Sequence, residues 1–320
     1  MHSMFKRRPT VSTAMRIAAG SLMSAAVFSA GISAATMPQL KGNETLWLLS
    51  EANQLIKVNP SAPDKVLEQK AVTGLSAGEE LLGIDYRVAY GVLFAFSSKG
   101  QLYTVDTASG ALTAVGTPLA AGTLKSGQSG FDFNPAADRI RVVNEHGQNL
   151  RLHPVTGEIA STDPDLQYAP GDAHFGQQPA VIAAAYTYNQ QDSKLTTNYA
   201  IDKTSANLLT QGTVEGSSPA VSPNTGQLYT VGSLGLAELQ QVSFDISDLK
   251  NIALIAVSTA ASTVARSMTL RGWKFAGALS ACPGTRSMPS SSKIADMMAI
   301  PPGSTGRRAP CATGLPSVTR

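Results

Sequence analysis

The chain is expected to be all-β and β-propeller-like, with about five to six four-stranded blades. Three observations predict this: a repeat of 47 residues, short strand-like runs parted by turn residues within each repeat, and a composition rich in turn formers. Of 320 residues, 28 are Gly and 18 Pro; charged residues are 15% and apolar residues 43%, enough for a substantial core.

The repeat is the primary signal. Gly83-Ile84-Asp85-Tyr86 recurs 47 residues on as Gly130-Phe131-Asp132-Phe133. In the same register Gly100-Gln101 recurs as Gly147-Gln148, and Thr107-Ala108-Ser109-Gly110 as Pro154-Val155-Thr156-Gly157. Leu102-Tyr103-Thr104-Val105 recurs forward as Asn149-Leu150-Arg151-Leu152 and backward as Leu55-Ile56-Lys57-Val58. Weaker copies follow at Tyr186-Thr187-Tyr188 with Asn198-Tyr199-Ala200-Ile201-Asp202, at Gly226-Gln227-Leu228-Tyr229-Thr230-Val231, and at Phe244-Asp245-Ile246-Ser247.

Within a unit, Val92-Leu93-Phe94-Ala95-Phe96 is a short apolar run, as in a strand covered on both faces. Gln101-Leu102-Tyr103-Thr104-Val105 alternates, and Ser97-Ser98-Lys99-Gly100 between them is a hairpin turn. A further turn at Ala108-Ser109-Gly110 precedes Leu112-Thr113-Ala114-Val115, which completes four strands. A solenoid is the alternative, but parallel β-helix rungs are shorter than this unit. The first unit, Trp47 through Leu75, lacks a Gly-apolar-Asp-apolar strand. A closed ring would take one from the other terminus, yet none of that type stands near the C-terminus.

Three stretches differ in charge. Residues 1–35 carry Lys6, Arg7, Arg8 and Arg16 and no acid; a small-residue apolar run from Ala14 to Ala30 follows the basic cluster, and Ser33-Ala34-Ala35 offers a cleavage site. This reads as an export signal cleaved near Ala35, so the mature protein is expected in the periplasm or secreted. A spanning helix is the alternative, against which Gly20, Ser21, Ser24 and Ser29 weigh; no second run of spanning length follows. Residues 36–265, the expected repeat domain, carry 13 basic and 21 acidic side chains. Such an acidic domain disfavours a nucleic-acid partner, which needs a basic face.

Residues 266–320 form a basic tail with Asp296 as its single acid, and the strand pattern stops there. Where the repeat calls for Leu-Tyr-x-Val, the chain has Arg266-Ser267-Met268-Thr269-Leu270. Codons CGC TCT ATG ACG TTA encode those residues, and reading from the third base gives Leu-Tyr-Asp-Val. Two readings account for the tail: out-of-frame, disordered peptide replacing the closing strands, which would leave a blade edge open, or a natural basic extension. Both cysteines, Cys282 and Cys311, fall in it, and a bridge between them is one reading.

The segment from about Leu46 to Val257 resembles the bacterial family called domain of unknown function 4394. The residues that carry the resemblance are the two Gly-apolar-Asp-apolar motifs, Asn134-Pro135, Asp138-Arg139-Ile140-Arg141-Val142-Val143, Gly147 through Leu152, and Tyr168-Ala169-Pro170-Gly171-Asp172. The resemblance implies an exported, repeat-containing β protein and no established activity. The chain departs from the family pattern after Ala265.

Candidate chemistry lies in two sets. Asp138, Arg139 and Arg141, with Asp172, would form a ligand-binding groove for a carboxylate, phosphate or acidic sugar, since guanidinium forks pair bidentately with such groups. The competing reading is an ion-pair network between blades, using Asp132 or Asp172. Asp85, Asp132 and Asp245 recur one per repeat; inner-strand acids around a channel could bind Ca²⁺ through oxygen ligands. Repetition itself argues that each instead bonds a neighbouring blade's backbone. The Asp163-Pro164-Asp165 loop lacks a calcium-loop pattern.

His2, His146, His153 and His174 have no zinc spacing, and no nucleophile elbow, phosphate loop or dinucleotide fingerprint occurs. Trp47, Phe94, Phe96, Tyr103, Phe131, Phe133 and Tyr229 read as packing between strands. The function expected is a binding, interaction or structural module without catalytic residues or a resident cofactor, engaging an envelope protein, a glycan or a small molecule. The enzymatic alternative is a metal-assisted hydrolase or lactonase-like propeller.

Overall fold

The computed structural model describes residues 14–17, 45–59, 62–236, 239–248, 251–259, 263–269 and 297–299. Among the described residues five sheets are formed, each largely an antiparallel meander. The first holds β1 (Ala14–Ile17), β2 (Leu46–Ser50), β3 (Gln54–Asn59) and β4 (Ala62–Ala71). The second holds β5 (Leu81–Arg87), β6 (Val92–Ser97), β7 (Leu102–Val105) and β8 (Leu112–Val115). The third holds β9 (Ser129–Asn134), β10 (Arg139–Asn144), β11 (Asn149–Leu152) and β12 (Ile159–Thr162). A two-residue strand, β13 (Gln167–Tyr168), then joins the fourth sheet of β14 (Val181–Tyr186), β15 (Asn198–Asp202), β16 (Asn207–Gln211) and β17 (Gln227–Ser233). The fifth is β18 (Leu239–Ile246), β19 (Ile252–Thr259), β20 (Thr263–Thr269) and β21 (Met297–Ala299).

The first strands of the sheets stand side by side around one axis, in the order β1, β5, β9, β14, β18 and back to β1. This is the all-β, propeller-like architecture the repeat predicts. The register repeats with it: Asp85 faces Phe94 across β5 and β6, and 47 residues later Asp132 faces Arg141 across β9 and β10. Gly100, in the hairpin turn between β6 and β7, takes a left-handed φ of 72°, and its counterpart Gly147 takes 79°. L-residues with a Cβ adopt that region at a penalty.

The core lies between sheets. One cluster joins Trp47, Leu49 and Leu55 to Leu81, Ile84, Tyr86 and Leu93, across sheets one and two. Another joins Phe94, Phe96 and Leu102 to Phe131, Phe133 and Ile140, across sheets two and three. There Phe96 stacks on Phe131 at 5.7 Å and Phe94 meets Phe133 edge-on at 5.2 Å. Such ring pairs add about 0.5–1.5 kcal/mol beyond area burial. A third cluster runs from Ala183 and Tyr199 through Phe244 and Leu254 to Leu46 and Leu48, so sheets four, five and one also share apolar contacts.

Gly-apolar-Asp-apolar now has a physical reason at its first position. A Cβ on Gly83 would stand 2.9 Å from the Phe131 Cβ in the next sheet, and one on Gly130 would stand 2.5 Å from the Ala184 backbone N. Glycine lets adjacent first strands approach that closely.

One expectation differs from the structure. The first strand missing from sheet one was sought at the C-terminus, but Ala14–Ile17, inside the stretch read as an export signal, fills that place. Every residue of β2 is buried, so its inner row of backbone N–H and C=O groups must be paired. An extended segment from either end meets that need. It pairs parallel to β2, whereas β5, β9, β14 and β18 each pair antiparallel with their neighbour. Of the two readings of the tail, one implies an open edge; among the described residues β1 contacts both β5 and β18, and β20 runs across residue 266. The cleavage site near Ala35, both cysteines and most of the tail lie outside the described residues.

Connecting segments clasp the rims. β13 pairs parallel with β17, the outermost strand of the fourth meander. Thr73, just after β4, bridges Ala111 at the rim of the second sheet, and its carbonyl accepts from Leu112 N at 2.9 Å.

Candidate functional site

The three repeat aspartates converge. Asp85 on β5, Asp132 on β9 and Asp245 on β18 each offer a carboxylate oxygen, and these oxygens lie within 4.8 Å of one another. All three side chains are buried, with relative exposures of 4%, 3% and 5%. Their positions follow from the register, since each is the third residue of the motif on a first strand.

The carboxylates also tie blade to blade. Asp85 accepts from Phe133 N of the next sheet at 2.7 Å and from Tyr86 N at 2.6 Å. Asp132 accepts from Tyr186 N of the next sheet at 3.0 Å. Asp245 accepts from Ile246 N at 2.5 Å. The fourth sheet breaks the series: Ala185 precedes Tyr186 as Asp132 precedes Phe133, so it supplies no carboxylate.

Burial and the Asp245 carboxylate push Asp85 well above the usual carboxyl range, against the pull of its two backbone donors. Burial, then Asp85 and Asp245, push Asp132 up in the same way. Burial raises the Tyr188 hydroxyl, and the carboxylates of Asp85, Asp132, Asp245 and Asp248 act in the same direction. Three like charges this close in a desolvated place require protons or a bound cation. A hard, oxygen-seeking cation such as Ca²⁺ matches the donor set.

A cavity of about 420 Å³ opens on the same axis. Leu82-Gly83-Ile84, Ser129-Gly130-Phe131, Ile182-Ala183-Ala184 and Gln241 through Phe244 line it, from β5, β9, β14 and β18. Ile84, Phe131 and Phe244 each directly precede a hub aspartate, so the cavity and the carboxylates share strands. The loop from Leu124 to Gln128, with Lys125, covers one side. Glu145 in the wall is engaged, accepting from Gln128 N at 2.9 Å and Lys203 Nζ at 3.2 Å. Gln128 Oε1 and Ser129 Oγ are buried and make no hydrogen bond.

The arginine set does not converge. Arg141 is 1% exposed and its donors are taken: Nε by the Tyr186 hydroxyl at 3.1 Å, Nη1 by Asn149 and Asp163 at 2.6 Å each, Nη2 by Asn224 at 2.6 Å. Asp163 also receives Arg151 Nε at 2.9 Å and Nη2 at 2.8 Å. Although burial raises its carboxyl, Arg151 and Arg141 hold it below the usual range. These ion pairs lie within the third sheet and the loop after β12, while the hydrogen bonds to Tyr186 and Asn224 carry Arg141 across to the fourth sheet.

Asp138 takes a left-handed φ of 50° in the turn before β10 and pairs with Arg87 of the second sheet at 2.5 Å. Arg139 Nη1 donates to the Asp138 carbonyl at 2.8 Å. Asp172 fastens a loop, accepting from Thr230 N at 2.6 Å and His174 N at 2.9 Å. Thus Asp138, Arg139, Arg141 and Asp172 do not form one groove. The described histidines are apart from the hub: His146 is exposed, His153 Nδ1 accepts from Val155 N, and His174 contacts Thr230 and Asp172.

Such a ring of meanders around a shared axis defines a β-propeller-like protein. A family described as domain of unknown function (DUF4394) matches residues 54–270, about two thirds of the chain, and the chain belongs to that family. No curated protein matches. Among solved structures, one described as dihydro-heme d1 dehydrogenase NirN in complex with DHE is 13% identical, with a TM-score of 0.33. The alignment covers 74% of this chain and 47% of that one, so this chain spans about half of its length. A chain of a mitotic checkpoint complex is 10% identical with a TM-score of 0.32, covering 77% of this chain and 88% of that one.

Proposed function

We propose that the protein is an exported binding module that takes a neutral, hydroxyl-rich ligand, such as a segment of a surface glycan, in the axial cavity. The observation that carries the reading is the pair of buried polar atoms without partners, Gln128 Oε1 and Ser129 Oγ, in the wall of a cavity of about 420 Å³. Buried polar atoms without partners are rare, and the hydroxyls of a bound ligand would complete the bonding of these two. Ser98, Ser126 and Gln241 add neutral donors and acceptors, and Phe131 and Phe244 add apolar faces for a sugar ring. With Glu80 and Glu145 against Lys125 in the lining, the charge balance disfavours an anion. Calorimetry against neutral oligosaccharides tests it. A ligand that binds wild type and loses about tenfold in affinity with Ser129→Val or Gln128→Leu supports the reading. Binding indifferent to both substitutions, or no binding across neutral glycans, overturns it.

A divalent cation at Asp85, Asp132 and Asp245 is a second reading, favoured by oxygens within 4.8 Å of one another. Exposures of 5% or less keep substrate from those oxygens, so the cation would tie the hub together and would not drive hydrolysis. Metal content of the purified protein and its melting temperature with calcium or with chelator test it. Metal-free protein indifferent to calcium would refute it.

A further inference from the structure

We propose that the place held by β1 is a strand-acceptor slot. Its fitted occupant is an extended antiparallel segment of the pattern Gly-apolar-Asp-apolar, with Ala14–Ile17 as a displaceable stand-in. The inference concerns ring closure and stands apart from the cavity reading above.

Three observations carry it. The slot lies between β5 and β18 and against β2, whose five residues are all buried. Left empty, it would expose an unpaired strand edge inside the ring. The segment now in it pairs parallel over four positions, whereas β5 and β9 each pair antiparallel over six. Parallel pairing is slightly weaker per residue, and fewer pairs weaken it further. At two of the other first strands the spacing to the neighbour is set by glycine. Gly83 on β5 and Gly130 on β9 leave no room for a Cβ against the following sheet; Ala14-Met15-Arg16-Ile17, like β14 and β18, contains no glycine.

The occupant's chemistry follows from these neighbours. Main-chain groups would pair with β2, a glycine would sit against β5, and the aspartate, protonated or sharing a cation, would enter the hub beside Asp85 and Asp245. This is β-strand addition, in which backbone bonds give affinity and alternate side chains give specificity. An export signal removed near Ala35 would take the stand-in with it and open the slot.

The test uses the full chain with a protease site inserted between Ala35 and Thr36, folded first and then cut. Amide exchange across Leu46–Ser50 is read before and after cutting. The probe is a synthetic peptide of residues 128–135, Gln-Ser-Gly-Phe-Asp-Phe-Asn-Pro. Cutting is expected to speed exchange at Leu46–Ser50 and the peptide to restore protection. The same peptide with Gly130→Val should bind at least about tenfold more weakly, because its side chain overpacks a filled contact. Should the cut chain unfold, the uncut chain serves: excess peptide must release Ala14–Ile17, seen as lost protection there. Failure of the peptide to displace that segment in either form, or equal binding of the valine peptide, overturns the proposal.

Discussion

Replacing Asp132 by asparagine removes one of three like charges while keeping an acceptor for Tyr186 N, the bond that ties the third sheet to the fourth. The carboxylate oxygens lie within 4.8 Å of one another. At that separation and an effective dielectric of about 20, each ionised pair repels by roughly 3–4 kcal/mol. Asp132 takes part in two such pairs. The wild-type protein relieves much of this by keeping protons, since Asp85 and Asp132 are raised well above 3.8. The stabilisation expected from the substitution near pH 8 is therefore smaller, on the order of 1–3 kcal/mol.

The sign follows from linkage. Groups raised on folding stabilise fully below the unfolded carboxyl pKa, and that contribution is lost as pH rises through the folded values. Asp163, Asp138 and Asp172, which are lowered, contribute in the opposite sense, so the wild-type profile alone does not isolate the hub. The difference between wild type and Asp132→Asn does. Thermal melts in chelator should favour the variant by roughly 3–10 °C near pH 8 and by much less near pH 5. Millimolar calcium should close the gap from the wild-type side if a cation binds there. A variant equally destabilised at both pH values, with a wild type indifferent to calcium, would refute the account of the hub as a cluster under electrostatic repulsion.

Arg141→Met should lower stability by roughly 2–4 kcal/mol, read by urea melts, because it takes the donor from Tyr186, Asn149 and Asn224 and leaves Asp163 with Arg151 as its one cation. Arg139→Ala, which loses a bond to its neighbour's carbonyl, should stay within about 0.5 kcal/mol. Gly130→Ala puts a Cβ at 2.5 Å from the Ala184 backbone N, where backbone must move, so a loss of about 1–3 kcal/mol or more is expected in the same assay.

The strands of sheets two and three were legible because the repeat states each twice. The run Val92–Phe96 became β6, one residue longer at Ser97; Gln101–Val105 became β7, which starts at Leu102, and Leu112–Val115 became β8 with those bounds. The hub aspartates were legible for the same reason, as equal positions on first strands of a ring lie at equal places around its axis. The structure brings together the same three aspartates that the sequence singles out; sheet four carries Ala185 at the equivalent position, which the three-dimensional register locates. The partner of Arg141 was hidden because Asp163 sits in an irregular loop after β12, with no periodicity to assign it. Tyr188 was hidden too, for it follows the end of β14 and reaches the hub charges by chain direction and not by pattern. The strand β1 was sought at the wrong end because Ala14–Ile17 carries no motif, and its pairing answers a vacancy in the backbone ladder.

The clasped rims give unravelling a direction. Both described clasps, Thr73 against Ala111 and β13 against β17, belong to the chain arriving from the preceding blade. Peeling the fifth sheet therefore leaves the outer edge of the fourth covered. Pulling out the third tugs β13 away and bares β17 to water or to a neighbouring molecule's edge. Mechanical or thermal damage should consequently travel from N-terminal blades toward C-terminal ones more readily than the reverse.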